Sequence, residues 1–316
     1  MPERADSLNA PGPWRLQGTL SLTATQSGYS ANWHGGDHGS WVWVSRFDGT
    51  AERQVNRHFN TLTNLTLAYG QASRQQADPS DPSRLVWEVP AATDDQITLE
   101  TVARFALGWF TQPYVAYRTD TQFFDASEPN GKLPFNPVGM KLSMGLAKVL
   151  AARGELEVIT RAGVGVRLAV GRAFTELPPS PSTERFEKTD TGLEWVTMAV
   201  VPMFSGRGRY HGRLGVFFTL TDSQADALRR YDAIAASVDP AHQPVADYWR
   251  SPDVTLENVF SAGITRYLGV EFTTQWIYNK LYPDVDVDPR LEPEVLIPQV
   301  EGNVHRAGQF REALAR

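Results

Sequence analysis

The sequence predicts an all-β fold: a closed antiparallel transmembrane β-barrel of about twelve strands, with long extracellular loops at one end and short periplasmic turns at the other. Three observations predict it. Apolar and polar residues alternate over stretches much longer than a usual strand of five or six residues. Long and short connections alternate strictly along the chain. Aromatic residues gather near the inferred strand ends, where amphipathic rings sit at a membrane interface.

The elements follow in order. Trp14, Leu16, Leu20, Leu22 and Ala24 alternate with Arg15, Gln17, Thr19, Ser21 and Thr23. Weaker strands are read at 41–51 and 58–71. Ile97, Leu99, Ala103, Phe105 and Leu107 then alternate with Glu100 and Arg104, and 113–124 gives the next strand. Val138, Met140, Leu142, Met144 and Leu146 face away from Lys141 and Ser143. Segment 156–170 is the clearest, with Leu156, Val158, Thr160, Ala162, Val164, Val166, Leu168 and Val170 on one side and Glu157, Arg161 and Arg167 on the other. Strands at 194–204, 214–220, 254–266, 270–278 and 307–316 complete the twelve. An aliphatic face opposed to a charged, glycine-bearing one is the pattern of a strand with lipid outside and a polar interior.

Connections at 27–39, 73–94, 125–137, 175–193, 222–253 and 283–306 are long. Those at 52–57, 109–112, 151–154, 205–208 and 267–268 are short. Within 222–253, Ser223 as N-cap, Asp226 in the first turn and a run of Ala and Leu predict a short helix. Trp14, Phe59, Trp109, Phe110, Tyr210 and Tyr267 are expected at the turn rim. Tyr69, Phe123, Phe174, Trp195, Tyr278 and Tyr282 are expected at the loop rim.

Composition agrees. The chain has 316 residues, 41% of them hydrophobic, and a mean hydropathy of -0.33. No run approaches the eighteen or so apolar residues a spanning helix needs. Aromatics reach 11%, with nine Trp and ten Tyr. A net charge of -6 without a basic stripe argues against nucleic acid as a partner. There is no Cys, which excludes disulfides and thiolate metal sites. The first residues, Met1-Pro2-Glu3-Arg4, lack the apolar stretch of a signal peptide, so either the protein is cytoplasmic or Met1 stands where an export signal was replaced, and the strand pattern favours the second. Residues 1–12 are read as a periplasmic segment and 13–316 as one barrel domain.

The polar side of the strands supplies the candidate functional residues: Glu100, Arg104, Arg118, Asp120, Lys141, Glu157, Arg161, Arg167, Arg213, Glu257 and Glu271. Both signs are mixed. They either cross-link the interior as a structural network or line a narrow polar path. A loop motif, Asn32-Trp33-His34-Gly35-Gly36, reads as a glycine turn packed by Trp33 rather than a metal site. Asp284, Asp286 and Asp288 alternate as weak candidates for calcium, without the glycine and distal Glu of an EF-hand loop. Only six His are present, and neither a G-x-S-x-G elbow nor H-E-x-x-H occurs. No catalytic residue and no cofactor are expected.

The opening Trp14-Arg15-Leu16-Gln17-Gly18, followed by Ser21, Gln26 and Asn32-Trp33-His34-Gly35-Gly36, resembles the start of domain-of-unknown-function family 3078. That family comprises exported, outer-membrane-type β-barrel proteins of Bacteroidota and relatives. Leu67-Ala68-Tyr69-Gly70, Asp94-Asp95-Gln96-Ile97-Thr98-Leu99 and Gln309-Phe310-Arg311-Glu312-Ala313-Leu314 match its later motifs, so the resemblance spans nearly the whole chain. It implies an outer-membrane barrel and carries no activity. Such barrels usually end on an aromatic residue, whereas Arg316 falls partway through the last strand, so that strand is expected to be incomplete.

The expected role is therefore a passive small-solute channel or a structural, partner-binding scaffold in the bacterial outer membrane. Expected partners are lipid, and a small polar solute or a protein at the outer loops, with the oligomeric state open. An outer-membrane enzyme acting on lipid or peptide, and a soluble β-rich binding protein, are the alternatives.

Overall fold

The computed structural model describes residues 11–29, 38–125, 132–174, 183–238, 244–265 and 269–278. The strands are β1 (Arg15–Ser27), β2 (Ser40–Asn56), β3 (Phe59–Asp78), β4 (Asp81–Trp87), β5 (Ala91–Phe105), β6 (Gln112–Thr121), β7 (Phe124–Asp125), β8 (Leu133–Pro134), β9 (Val138–Arg153), β10 (Leu156–Phe174), β11 (Thr183–Met203), β12 (Gly208–Asp222), β13 (Asp253–Gly263) and β14 (Gly269–Tyr278). One helix, α1 (Ala225–Val238), lies between β12 and β13. No described helix is long and apolar enough to cross a membrane.

Twelve strands form one antiparallel sheet. Eleven follow each other in the order β1-β2-β3-β5-β6-β9-β10-β11-β12-β13-β14, and β4 pairs only with the far end of β3. Those eleven match the first eleven strands predicted from alternation. The twelfth, at 307–316, lies outside the described residues, so the count of twelve is reached here with β4 instead. Gly12 N donates to the Gln54 carbonyl, which joins the chain to the sheet just ahead of β1.

Several predicted loops are partly strand. β3 runs on to Asp78 and turns back as β4, and β11 begins at Thr183, well before the predicted 194. The first residues of β11, Thr183-Glu184-Arg185-Phe186-Glu187-Lys188, show no apolar face. They are held by the ladder to β10, from Phe174 opposite Thr183 to Ala169 opposite Lys188. Backbone pairing continues past the apolar stretch as long as a partner strand does, and an apolar pattern cannot report that. A further consequence is that Trp195 stands mid-strand, opposite Ala162, not at the loop rim.

The sheet is strongly curled. Glu100 on β5 touches Arg213 on β12, five places away in the strand order. In a flat sheet those strands would be roughly 24 Å apart, at about 4.8 Å per strand. Gly145 and Gly163, paired across β9 and β10, bring the backbones together on the concave side: a Cβ on Gly163 would lie 2.1 Å from the Met144 carbonyl oxygen. At the turn end, Gly154 and Gly206 adopt φ of 62° and 87°, which side-chain-bearing residues rarely adopt, and so close the β9–β10 and β11–β12 turns.

Curling separates two faces. The convex face carries Leu16, Leu20, Leu22, Leu142, Met144, Leu146, Val164, Val166, Phe218, Phe272 and Trp276, all exposed, with Leu20 at 74% and Val164 at 54%. The concave face holds the polar side chains. Among the described residues, Val102, Tyr114, Ala116 and Ala147 form a buried apolar cluster inside the curl. Leu228, Tyr231, Ala235 and Val245 form a separate small core around α1.

Candidate functional site

Ladder register places all eleven predicted polar residues on the concave face. Across β5, β6, β9 and β10, Glu100 stands opposite Arg118, Arg118 opposite Lys141 and Lys141 opposite Arg167. Arg104 faces Tyr114, and Asp120 faces Thr98 and Gly139. Glu157 and Arg161 share the parity of Arg167 on β10. Arg213 stands opposite Glu257, which faces Gln275, and Ser261 faces Glu271.

Within this face the charges are paired across several strands. Glu100 accepts from Arg161 Nη2 at 2.5 Å and from Arg213 Nη1 and Nη2 at 2.6 and 3.1 Å. One carboxylate thus ties β5 to β10 and to β12. Glu100 and Arg161 are 4% and 2% exposed. A lone buried ion is strongly penalised, so each of the two needs the other as its partner. The Arg161 guanidinium also lies over the Tyr114 ring at 5.5 Å. Beneath it the buried Val102, Ala116 and Ala147 fill the curl toward the turn end.

Toward the loop end the pairs continue. Arg167 makes a two-point contact with Asp190, Nε to Oδ1 at 2.7 Å and Nη2 to Oδ2 at 2.9 Å. The same guanidinium donates to Asp253 and to the Thr219 hydroxyl, and lies 3.9 Å from the Phe217 ring centre. Lys141 donates to the buried Glu194. Lys188 pairs with Asp222 at 3.2 Å. Arg118 grips Asp120 through Nε and Nη2 at 2.7 and 2.8 Å. Planar guanidinium-to-carboxylate contacts of this kind fix orientation as well as charge.

The structure therefore brings Glu100, Arg161, Arg213, Arg118, Asp120, Lys141 and Arg167 into one ionic assembly. Arg104 stands apart and donates to Asn60 at 3.1 Å. Glu157 and Glu271 are exposed. Sequence reading missed Lys188, Asp190, Glu194, Asp222 and Asp253. Four of them sit in segments read as loops. A signal was present, since Lys188, Asp190, Gly192 and Glu194 keep the two-residue period. The motif residues Asn32, Trp33, Gly35 and Gly36, and the acidic trio Asp284, Asp286 and Asp288, lie outside the described residues. Among the described residues no cluster of three or more His, Asp or Glu is arranged to hold a metal ion.

Above the Glu100 layer the concave face forms a half-open chamber of about 300 Å³. Its wall includes Lys141, Arg167, Asp190, Arg213 and Gly215, and Tyr248 and Trp249 border it. Those two aromatics belong to a turn of 3-10 helix, Tyr248–Arg250, that packs on β12. The segment that carries them is pinned at its start. Ser223 exchanges hydrogen bonds with Thr189, its N donating to the Thr189 carbonyl and its Oγ accepting from the Thr189 N. This corrects the expected capping: Gln224, not Ser223, stands immediately before α1 and its carbonyl accepts the Leu228 N–H, and its own N donates to Asp222 Oδ1. The Ser223 hydroxyl is occupied by the neighbouring strand. Further along, the Asp232 carboxylate accepts from the Val245 and Ala246 N.

No family model matches the chain, and no curated protein matches it. Among solved structures the chain is similar to the translocator domain of the autotransporter NalP from Neisseria meningitidis, with 10% identity, 86% of this chain and 85% of that one covered, and a TM-score of 0.37. A likeness at that score does not establish a shared fold.

Proposed function

We propose that this chain is a β-barrel of the bacterial outer membrane, closed by a twelfth strand, that serves as a scaffold with a locked interior rather than as an open pore. The observation that carries the reading is a pair of aromatic rows framing an apolar convex face. At the loop end Trp43, Tyr69 and Phe123 meet edge-on, with ring centres 5.8 Å apart in both contacts. At the turn end Phe59 meets Phe105 at 5.2 Å, and Tyr210, Phe260 and Phe272 form a second run. On β3 the two rows are set by Phe59 and Tyr69, ten residues apart. At about 3.3 Å per residue and a strand tilt of about 40°, the rows stand about 25 Å apart in height, which is the apolar band of an outer-membrane barrel. Water is a poor solvent for the leucines and valines between them.

Strand parity supports closure. Eleven antiparallel strands leave β1 and β14 running the same way. One more strand between them restores antiparallel pairing on both sides, and bacterial barrels have even strand numbers. The stretch 307–316, which alternation marks as the closing strand, lies outside the described residues. In this arrangement the short turns are periplasmic and the long loops extracellular. The motif residues at Trp14–Gly18 and Asn32–Gly36 support grouping the chain with domain-of-unknown-function family 3078 as part of the same proposal.

The scaffold reading rests on the Glu100, Arg161 and Arg213 cross-link, which ties β5 to β10 and β12 across the curl. Purified protein is expected to need detergent or lipid to stay monodisperse, and to migrate differently on SDS gels before and after heating. A compact, monodisperse protein in plain buffer overturns the membrane reading. In planar bilayers no steady current is expected, and a sustained open conductance would overturn the scaffold in favour of a small-solute channel.

A further inference from the structure

We propose that the chamber above the Glu100 layer binds a small uncharged polyhydroxylated molecule, about one sugar ring in size. Its volume of about 300 Å³ is at the small end of ligand-sized pockets. Arg213, itself paired with Glu100, lines it, and Tyr248 and Trp249 border it from the pinned segment between β12 and β13.

The charge pattern selects the ligand class. Arg118, Lys141, Arg167, Lys188 and Arg213 line the chamber, and so do Asp120, Glu194, Asp190, Asp222 and Asp253. Each cation already has a carboxylate: Asp120, Glu194, Asp190 with Asp253, Asp222 and Glu100, respectively. A charged ligand would have to separate a partly buried pair to be recognised, and that is strongly unfavourable. Hydroxyl groups need no such separation. A paired carboxylate keeps spare acceptor positions, and a paired Lys or Arg keeps spare N–H donors. Each hydroxyl both donates and accepts, so it suits a wall on which the two signs alternate. Thr219 and Thr255 add hydroxyls to the same wall, and the partly exposed Trp249 offers aromatic surface for the C–H face of a ring.

The wall is also shaped to leave room. Gly139 and Gly215 line the chamber, and a Cβ on Gly215 would come no nearer than 4.0 Å to its closest neighbour, the Thr255 carbonyl oxygen. A side chain there would enter the chamber without pushing on the backbone. Gly215→Leu is therefore a space-filling probe that leaves the strands in place.

The test uses the full chain in a detergent without a sugar head group, with D-glucose, D-galactose and D-ribose as probes in saturation-transfer NMR. At least one of the three is expected to receive transfer from the wild-type protein. Gly215→Leu is expected to abolish it, and Trp249→Ala to weaken binding about tenfold, one decade in the dissociation constant. Inorganic phosphate and L-glutamate are expected not to displace the bound sugar. The proposal is overturned if folded protein gives no transfer with any of the three, if both variants bind as the wild type does, or if phosphate or glutamate displaces the sugar. The chamber is a property of the concave face and does not depend on lipid outside it. Heat-modifiable migration, read on the same samples, reports on the barrel separately, so the two readings fail independently.

Discussion

Glu100 holds two guanidinium groups, so removing it and removing one of its partners are unequal events. Glu100→Ala leaves Arg161, 2% exposed, without its carboxylate. Loss of one partner of a buried ion pair costs about 3–5 kcal/mol. Arg213→Ala leaves Glu100 still paired with Arg161, and the Arg213 side chain borders the chamber at 17% exposure. Its loss is expected to cost only about 1–3 kcal/mol. Urea midpoints of the lipid-reconstituted variants, read from heat-modifiable migration, check the ranking. An Arg213→Ala midpoint as low as that of Glu100→Ala would show that the carboxylate is not the hub. At this scale the sequence was informative about kind but not about partner. Arg161 and Arg167 stand out as charges within an aliphatic alternation, yet nothing in the chain says that one meets β5 and the other β11 and β13. The β10–β11 register sets the meeting with Asp190, and the curl sets those with β5 and β13.

The segment between β12 and β13 behaves as an element with its own small core, docked on the mouth of the curl. Asp232 fastens it by accepting from the Val245 and Ala246 N at distances from 2.7 to 3.0 Å. Asp232→Ala strands those two donors and is expected to loosen the segment by about 1–3 kcal/mol, while the strands stay folded. Faster trypsin cleavage at Arg229, Arg230 or Arg250, with migration of the unheated protein unchanged, is the expected result. The hairpin of β3 and β4 offers a pH reading in the same terms. Asp78 Oδ1 accepts from the Ser80 N at 2.8 Å and from the Ser80 hydroxyl at 2.6 Å, and these bonds hold its carboxyl below the usual carboxylate range. A lowered folded value means that the turn is favoured at neutral pH. That support is lost only as pH falls through the lowered value. Amide exchange at Ser80 should therefore stay slow at mildly acidic pH and quicken below it. Quickening already above the ordinary carboxylate range would show that Asp78 does not hold the turn.

For the molecule as a whole, the deciding question is what covers the convex face. Val164, mid-strand on β10 and 54% exposed, discriminates. If lipid covers it, Val164→Arg costs about 2–4 kcal/mol near the bilayer midplane. If water covers it, the same change falls within about 0.5 kcal/mol, as surface substitutions usually do. Unfolding in lipid vesicles, compared with the wild type, separates the two outcomes. A shift near zero would remove the membrane from the account, while the ionic assembly and its chamber would stand.

The chain by itself determined the strand class, the existence and order of eleven strands, and which side of each apolar stretch is polar. Alternation is a local property written into neighbouring residues, so it is readable without knowing the partner strand. It could not determine where pairing outlasts the apolar pattern, as in β4 and the start of β11. Nor could it show which charges meet. Tertiary structure decided that Glu100 would join Arg161 and Arg213, that Lys188, Asp190 and Glu194 belong to the polar face, and that Tyr248 and Trp249 would border a chamber. The reason is geometric: those contacts join residues as many as 113 apart in sequence, and only the curl of the whole sheet brings such distant positions within hydrogen-bond reach.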